Sequence, residues 1–143
     1  MQVASRFSIA VHILSLIGAE LDADNTSEWM ACSIGVNPVI VRNIIGMLRR
    51  AGLVATRQGV AGTRLARQLK DITLLDVYKA VHAVEAGDLF AFHQNPNPKC
   101  PVGANIQAAL ENQLIEAQQA MEAQLACTTL EEVVARLQSP THK

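Results

Sequence analysis

The side chains able to do chemistry in this chain are few. Its three cysteines, Cys32, Cys100 and Cys127, and its four histidines, His12, His82, His93 and His142, form no His or Cys pair at metal-ligand spacing. His93 and Cys100 share one segment, but a metal there would lack further ligands. No nucleophile motif, glycine-rich phosphate loop opening a helix, or paired carboxylate is visible, so neither an enzyme nor a resident metal or cofactor is expected. Thiol and guanidinium chemistry remain. Cys100 follows Lys99 and precedes a long helical run, and a neighbouring cation and a helix start both favour the thiolate. Cys32 lies about 155° around its short helix from the centre of Met30, Ala31 and Ile34, which points it outward. These two are the candidate redox sensors: an oxidant either modifies Cys100 alone or joins it to Cys32 of a second chain. The alternative is that they are inert small hydrophobes, the role read for Cys127. An odd cysteine number without paired spacing makes no disulfide framework and points to the reducing cytoplasm.

The guanidinium groups are concentrated. The stretch PVIVRNIIGMLRRAGLVATRQGVAGTRLAR, residues 38–67, holds six arginines and no acid. From Asn37 to Lys70 there are seven basic residues and no acidic one, leaving 5 basic against 13 acidic residues elsewhere in a chain of net charge −1. A fold that gathers this segment on one face offers a positive patch to a polyanion while the remainder repels it. A solvated face with chance clustering would look the same from charge alone.

The elements that carry the arginines decide between these. With 143 residues, 50% of them hydrophobic, and a mean hydropathy of +0.18, the chain makes about one domain with a sizeable core. In FSIAVHILSLIGA and the residues before it, Ser5, Ser8, His12 and Ser15 draw one narrow polar stripe, so a helix over 5–18 is buried on most sides. It is too short to span a membrane and is read neither as a span nor as a signal peptide. After a polar break at 22–25, Asn25 with Glu28 marks a helix start running through Ser33. Gly35 gives a turn, Asn37 before Pro38 opens a second helix, and Gly52 closes it. Two helices across a short turn make a helix-turn-helix.

In the second helix Val41, Ile44, Ile45 and Leu48 form an apolar face, with Val39, Arg42, Asn43, Gly46, Arg49 and Arg50 opposite. A guanidinium fork, an amide and a gap at Gly46 suit a helix entering a major groove. The runs 53–58 and 63–66 then read as a β-hairpin whose four-residue loop 59–62 carries two glycines, with Arg57 and Arg64 flanking the tip. The fold class is therefore mainly α with a small β-hairpin wing: a winged helix-turn-helix plus a long dimerisation helix.

The order of Ser5-Arg6-Phe7, TSEWMACSIGVNPVIVRNIIGMLRRAGLV, a glycine wing and ITLLDVYKAVHA resembles the Rrf-two family of bacterial transcription regulators, over nearly the whole chain. The segment GDLFAFHQNPNPKCPVGANIQAALE is similar to a branch carrying P-N-P-x-C-x-V-G before the long helix. The resemblance implies a cytoplasmic homodimer that binds operator DNA through its winged helix and is released by a redox or metabolic signal. Two departures stand out. Gly62-Thr63 replaces a glycine pair common in the family's wing. Cluster-binding members have three closely spaced cysteines before the long helix where this chain has only Cys100, so no iron–sulfur cluster of that kind is expected.

Thr73 with Asp76 opens a further helix, and Gly103 to Cys127 runs without glycine or proline inside it, a helix of roughly 37 Å. Ile106, Leu110, Leu114, Ala117, Met121 and Leu125 make an apolar stripe down it that a partner helix would cover, unless it is an ordinary core face. Thr128 with Glu131 starts a last short helix, and 139–143 is a tail. The expected domains are a winged helix-turn-helix over 1–84, a loop with the candidate sensor cysteine over 85–102, and a dimerisation helix with a C-terminal helix over 103–143. Residues expected at double-stranded DNA are Ser5, Arg6, Ser27, Asn37, Val39, Arg42, Asn43, Arg49, Arg50, Arg57 and Arg64. Trp29, the single tryptophan, is read as structural. The function expected is a homodimeric repressor on an inverted-repeat operator. The alternative is a winged-helix interaction module docking an acidic partner protein.

Overall fold

A computed structural model describes residues 3–21, 25–57, 60–82 and 96–138. Residues 22–24 of the expected polar break, 58–59 of the expected hairpin, His93, His142 and the tail at 139–143 lie outside the described residues, as does most of the expected 85–102 loop.

The first helix, α1 (Val3–Ala19), begins two residues before the sequence suggested. Ala10, Ile13, Leu14 and Ile17 are buried, and Ser15 inside this apolar helix donates its hydroxyl back to the Val11 carbonyl at 2.7 Å. α2 (Ser27–Ile34) is capped by Thr26, whose hydroxyl accepts from the Trp29 N–H at 3.2 Å. The cap is not Asn25. That residue is left-handed at φ 53° and buried, and its Nδ2 donates to the Thr63 carbonyl at 3.4 Å, tying the entry of α2 to the wing. Gly35 ends α2 at φ 85°, a conformation a side chain rarely adopts, and its N–H returns to the Ala31 carbonyl.

α3 (Pro38–Arg50) starts as the sequence dictates, with the Asn37 side chain accepting from the Val39 N–H at 2.8 Å and Pro38 at the first helical position. Val41, Ile44, Ile45 and Leu48 are buried, each contributing about 1.5–3 kcal/mol of burial free energy. The second strand of the hairpin begins earlier than expected. β1 (Val54–Arg57) and β2 (Val60–Leu65) pair antiparallel, Val54 with Leu65, Ala55 with Arg64 and Arg57 with Val60, with a bulge between Ala55 and Arg57. Strand replaces the expected four-residue loop from Val60 onward, because an irregular ladder tolerates glycine where a regular one does not.

A 3-10 turn (Leu69–Asp71) leads to α4 (Leu74–His82). Thr73 and Asp76 cap α4 reciprocally, the Thr73 N–H donating to the carboxylate at 3.0 Å and the Asp76 N–H to the hydroxyl at 3.1 Å. α5 (Pro101–Ala126) is 26 residues long, about 39 Å, and opens two residues before Gly103 because Pro101 takes the first helical position. α6 (Leu130–Gln138) starts on a Thr129–Glu132 box, one residue later than Thr128–Glu131. Leu130 donates its N–H to the Ile72 carbonyl, and Leu74 donates to Thr128. These bonds return α6 to the front of the chain, where it packs on α1 and the 3-10 turn with Leu130 and Val134 buried. One core joins α1 to α4, the wing base and α6. α5 contributes no buried residue to it. No single described helix is long and apolar enough to cross a membrane.

Candidate nucleic-acid interface

The core face of α3 fixes what its other face presents. Val39, Arg42, Asn43, Arg49 and Arg50 are exposed, as are Asn37, Arg57, Arg64 and Ser5, while Ser27 is half-buried. Two of the residues read as DNA-facing are placed differently. Arg6 is buried, because it shares a stripe with Ala10, Ile13 and Ile17 at helical spacing and is carried inward with them. Gly46 is buried beside the Arg49 and Arg50 guanidiniums of its own helix, so the expected gap is covered. Trp29 is half-buried and packs against the core.

An open cleft of about 560 Å³ runs between the first turn of α2, the exposed side of α3 and the hairpin, lined by Thr26, Ser27, Arg42, Arg49, Thr56 and Gly62 among others. Arg49 Nη1 donates to the Thr56 hydroxyl at 3.4 Å, which couples the end of α3 to the wing. Arg42 Nη1 lies 3.3 Å from Glu28 Oε2. Glu28 is the acidic residue lining this cleft, and sequence reasoning gave it only a capping role. A separation of 14 positions from Arg42 carries no local signal, since the turn at Gly35 makes the contact. Arg50, whose guanidinium lies with that of Arg49 over Gly46, also lines a second cleft on the adjoining flank of α3, together with Arg67 and Lys79.

The segment P-N-P-K-C-P-V-G before α5 has a geometric account. The Asn97 side chain accepts from the Lys99 N–H at 2.9 Å and its carbonyl accepts from the Cys100 N–H at 3.2 Å. A Cβ at position 103 would collide with that same carbonyl, so glycine there lets the turn lie against the first turn of α5. Cys100 is thereby held at the N-cap, exposed, with no side-chain cap bond as a neutral thiol. The N–H groups of Gly103, first, and Val102 nonetheless favour its anion and hold the thiol below its ordinary value. Cys32 and Cys127 are also exposed. Cys100 and Cys127 bracket the whole of α5 and Cys32 sits on α2, so the three thiols of one chain do not converge on a cluster. Among the described residues no three His, Cys, Asp or Glu side chains are grouped to hold a metal.

On α5, Ile106, Leu114, Met121 and Leu125 are half-buried, and Leu110 and Ala117 are exposed. Among the described elements α4 packs against this helix.

Comparison with known proteins bears on the family and the fold. The family model Rrf2, described as an iron-dependent transcriptional regulator, matches residues 3–136. YwnA of Bacillus subtilis (strain 168), a candidate HTH-type transcriptional regulator, is 46% identical over 135 residues, covering 94% of this chain and 98% of its own. A crystal structure of a candidate DNA-binding protein superposes with a TM-score of 0.72 at 42% identity, over 90% of this chain and 97% of that one. A candidate transcriptional regulator from Lactobacillus plantarum gives a TM-score of 0.75 at 27% identity, over 92% and 89%. These relatives are regulators and not enzymes. The cysteine positions do not fit an iron–sulfur cluster within one chain, whatever the family description.

Proposed function

The chain belongs to the Rrf2 (Rrf-two) family of transcriptional regulators, and from that premise we propose that it is a homodimeric repressor that binds an inverted-repeat operator through α3 and the wing. The observation that carries this reading is the α3 face: Arg42, Asn43 and Arg49 stand exposed on a helix whose opposite side is locked into the core, with Arg57 and Arg64 on the adjoining hairpin. Arg42 and Asn43 read base edges in the major groove, a fork and an amide being the groups suited to guanine and adenine. Arg49, Arg57 and Arg64 neutralise phosphates, with Ser27, Asn37 and Val39 at the helix starts where backbone N–H groups approach the strand.

α5 supports the dimer. A helix of 26 residues with no buried side chain and an apolar stripe from Ile106 to Leu125 is covered by the same helix of a second copy. The two reading heads then address half-sites about one helical turn apart or a multiple of it. Cys100 is where an oxidant enters: its thiolate takes an oxygen from a peroxide, leaving a sulfenic acid and hydroxide, and condensation with Cys32 of the partner releases water and forms a disulfide. That link changes the spacing of the reading helices.

The test is to sequence genomic DNA retained by the purified protein and to compare affinity before and after mild peroxide. An inverted repeat bound by a dimer, weakened by peroxide in the wild type and not in Cys100→Ser, is the expected result. Retention of an acidic protein with no duplex retained would favour the interaction-module reading.

A further inference from the structure

The second cleft, on the adjoining flank of α3, measures about 540 Å³, within the range of small-molecule sites. Its floor is apolar: Leu53 and Ala80 are buried and Met47 half-buried. Its rim is cationic, with Arg50 from the last turn of α3, Arg67 from the exit of the hairpin and Lys79 from α4, against the single carboxylate of Asp76.

That carboxylate is already committed. It caps the first turn of α4 through the Thr73 N–H and lies 3.6 Å from the Arg67 guanidinium. Arg67 in turn donates from Nη2 to the Asp71 carbonyl at 2.8 Å, which draws one edge of its guanidinium to the mouth of the cleft. Arg50 and Lys79 have no carboxylate partner among the described residues. The rim therefore carries an excess of two positive charges above an apolar floor. These cations are set around a concavity with buried aliphatic carbon at its base.

We propose that this cleft is a binding site for a small organic anion, a carboxylate or phosphate with a short apolar part, gripped by Arg50, Lys79 and Arg67, and that its occupation weakens DNA binding. The coupling rests on the DNA-binding reading; the site does not. Arg50 belongs to the last turn of the reading helix, so a ligand that draws it toward α4 removes a cation from the duplex and adds negative charge beside α3. Linkage requires that DNA weaken the anion by the same factor.

The experiment titrates the full chain with succinate and, separately, inorganic phosphate at constant ionic strength, following backbone amide resonances. Saturable shifts centred on Met47–Ala51, Lys79 and Ala80 are expected. In Lys79→Gln the half-saturating concentration should rise roughly tenfold, the loss of one charge-assisted bond, while duplex affinity without anion stays as in the wild type. Whichever anion saturates at the lower concentration identifies the ligand class. Shifts centred instead on Arg42, Arg49 and Thr56, shifts spread over the surface, or an unchanged half-saturation in Lys79→Gln would overturn the site. The anion arm needs no DNA, so a protein that binds no duplex yet titrates at these amides upholds the site while refuting the DNA reading.

Discussion

Replacing Glu28 by Gln isolates the contact that joins the two helices of the reading unit. The Arg42–Glu28 pair is 3.3 Å long, but its side chains are 52% and 73% exposed, and exposed pairs contribute about 0–1 kcal/mol. Folding stability should therefore change by about 0.5 kcal/mol or less. DNA affinity should change more. Arg42 must leave Glu28 to reach a base, which costs up to about 0.5 kcal/mol. A carboxylate about 7 Å from a phosphate in water adds repulsion of about 0.6 kcal/mol before screening. Glu28→Gln removes both, so each protomer gains about 1 kcal/mol, a factor of about five, and a dimer up to about 25. Fluorescence anisotropy on an operator and a random duplex at low salt measures the gain. Arg42→Ala alone should lose about 1–3 kcal/mol on the operator only, and in that background Glu28→Gln should recover just the repulsion component. An unchanged or weakened affinity in Glu28→Gln, or an equal gain with and without Arg42, would refute the reasoning.

Arg64→Ala should weaken operator and random duplexes alike and flatten the salt slope by about one unit, as for a phosphate contact; a loss confined to the operator would make Arg64 a base reader. The alkylation rate of Cys100 should stay high to a pH below that of an ordinary thiol, because the depressed pKa keeps the thiolate populated until pH falls through the folded value. Gly103→Ala, by forcing Asn97 off the first turn of α5, should move that midpoint upward, and mass spectrometry of the alkylated peptide follows it. Leu114→Glu, in the middle of the α5 stripe, should convert a dimer to a monomer by sedimentation while leaving the far-ultraviolet circular dichroism of the winged domain in place.

Local chemistry was readable in the sequence wherever a few neighbouring residues decide the structure. Asn37-Pro38, the Val41–Ile44–Ile45–Leu48 stripe and the Thr73–Asp76 box all lie within about two turns of helix, and the structure holds them as read. The failures are tertiary. Asn25 carries a helix-start signature, but its amide is drawn to the wing at Thr63 and Thr26 takes the cap. Arg6 looked like a surface cation until the register of α1 placed it on the buried stripe. Thr128 and Thr129 are equally good caps by type, and the pairing of 128–130 with the strand-like approach to α4 selects Thr129. Of the candidate interface, the arginines of α3 and the wing were legible from charge and period. Glu28 against Arg42, and the second cleft that Arg50 lines with Arg67 and Lys79, required the fold.

The most direct test of the central claim is the affinity of the purified wild-type protein for duplex DNA recovered from its own genome, measured across salt concentration against random competitor. The account predicts retention of an inverted-repeat duplex in the presence of competitor, with log K falling linearly in log salt at a slope of about −4 or steeper, the signature of several phosphates neutralised in each half-site. Binding that shows no preference for the recovered sequence, or a slope near zero, would contradict it.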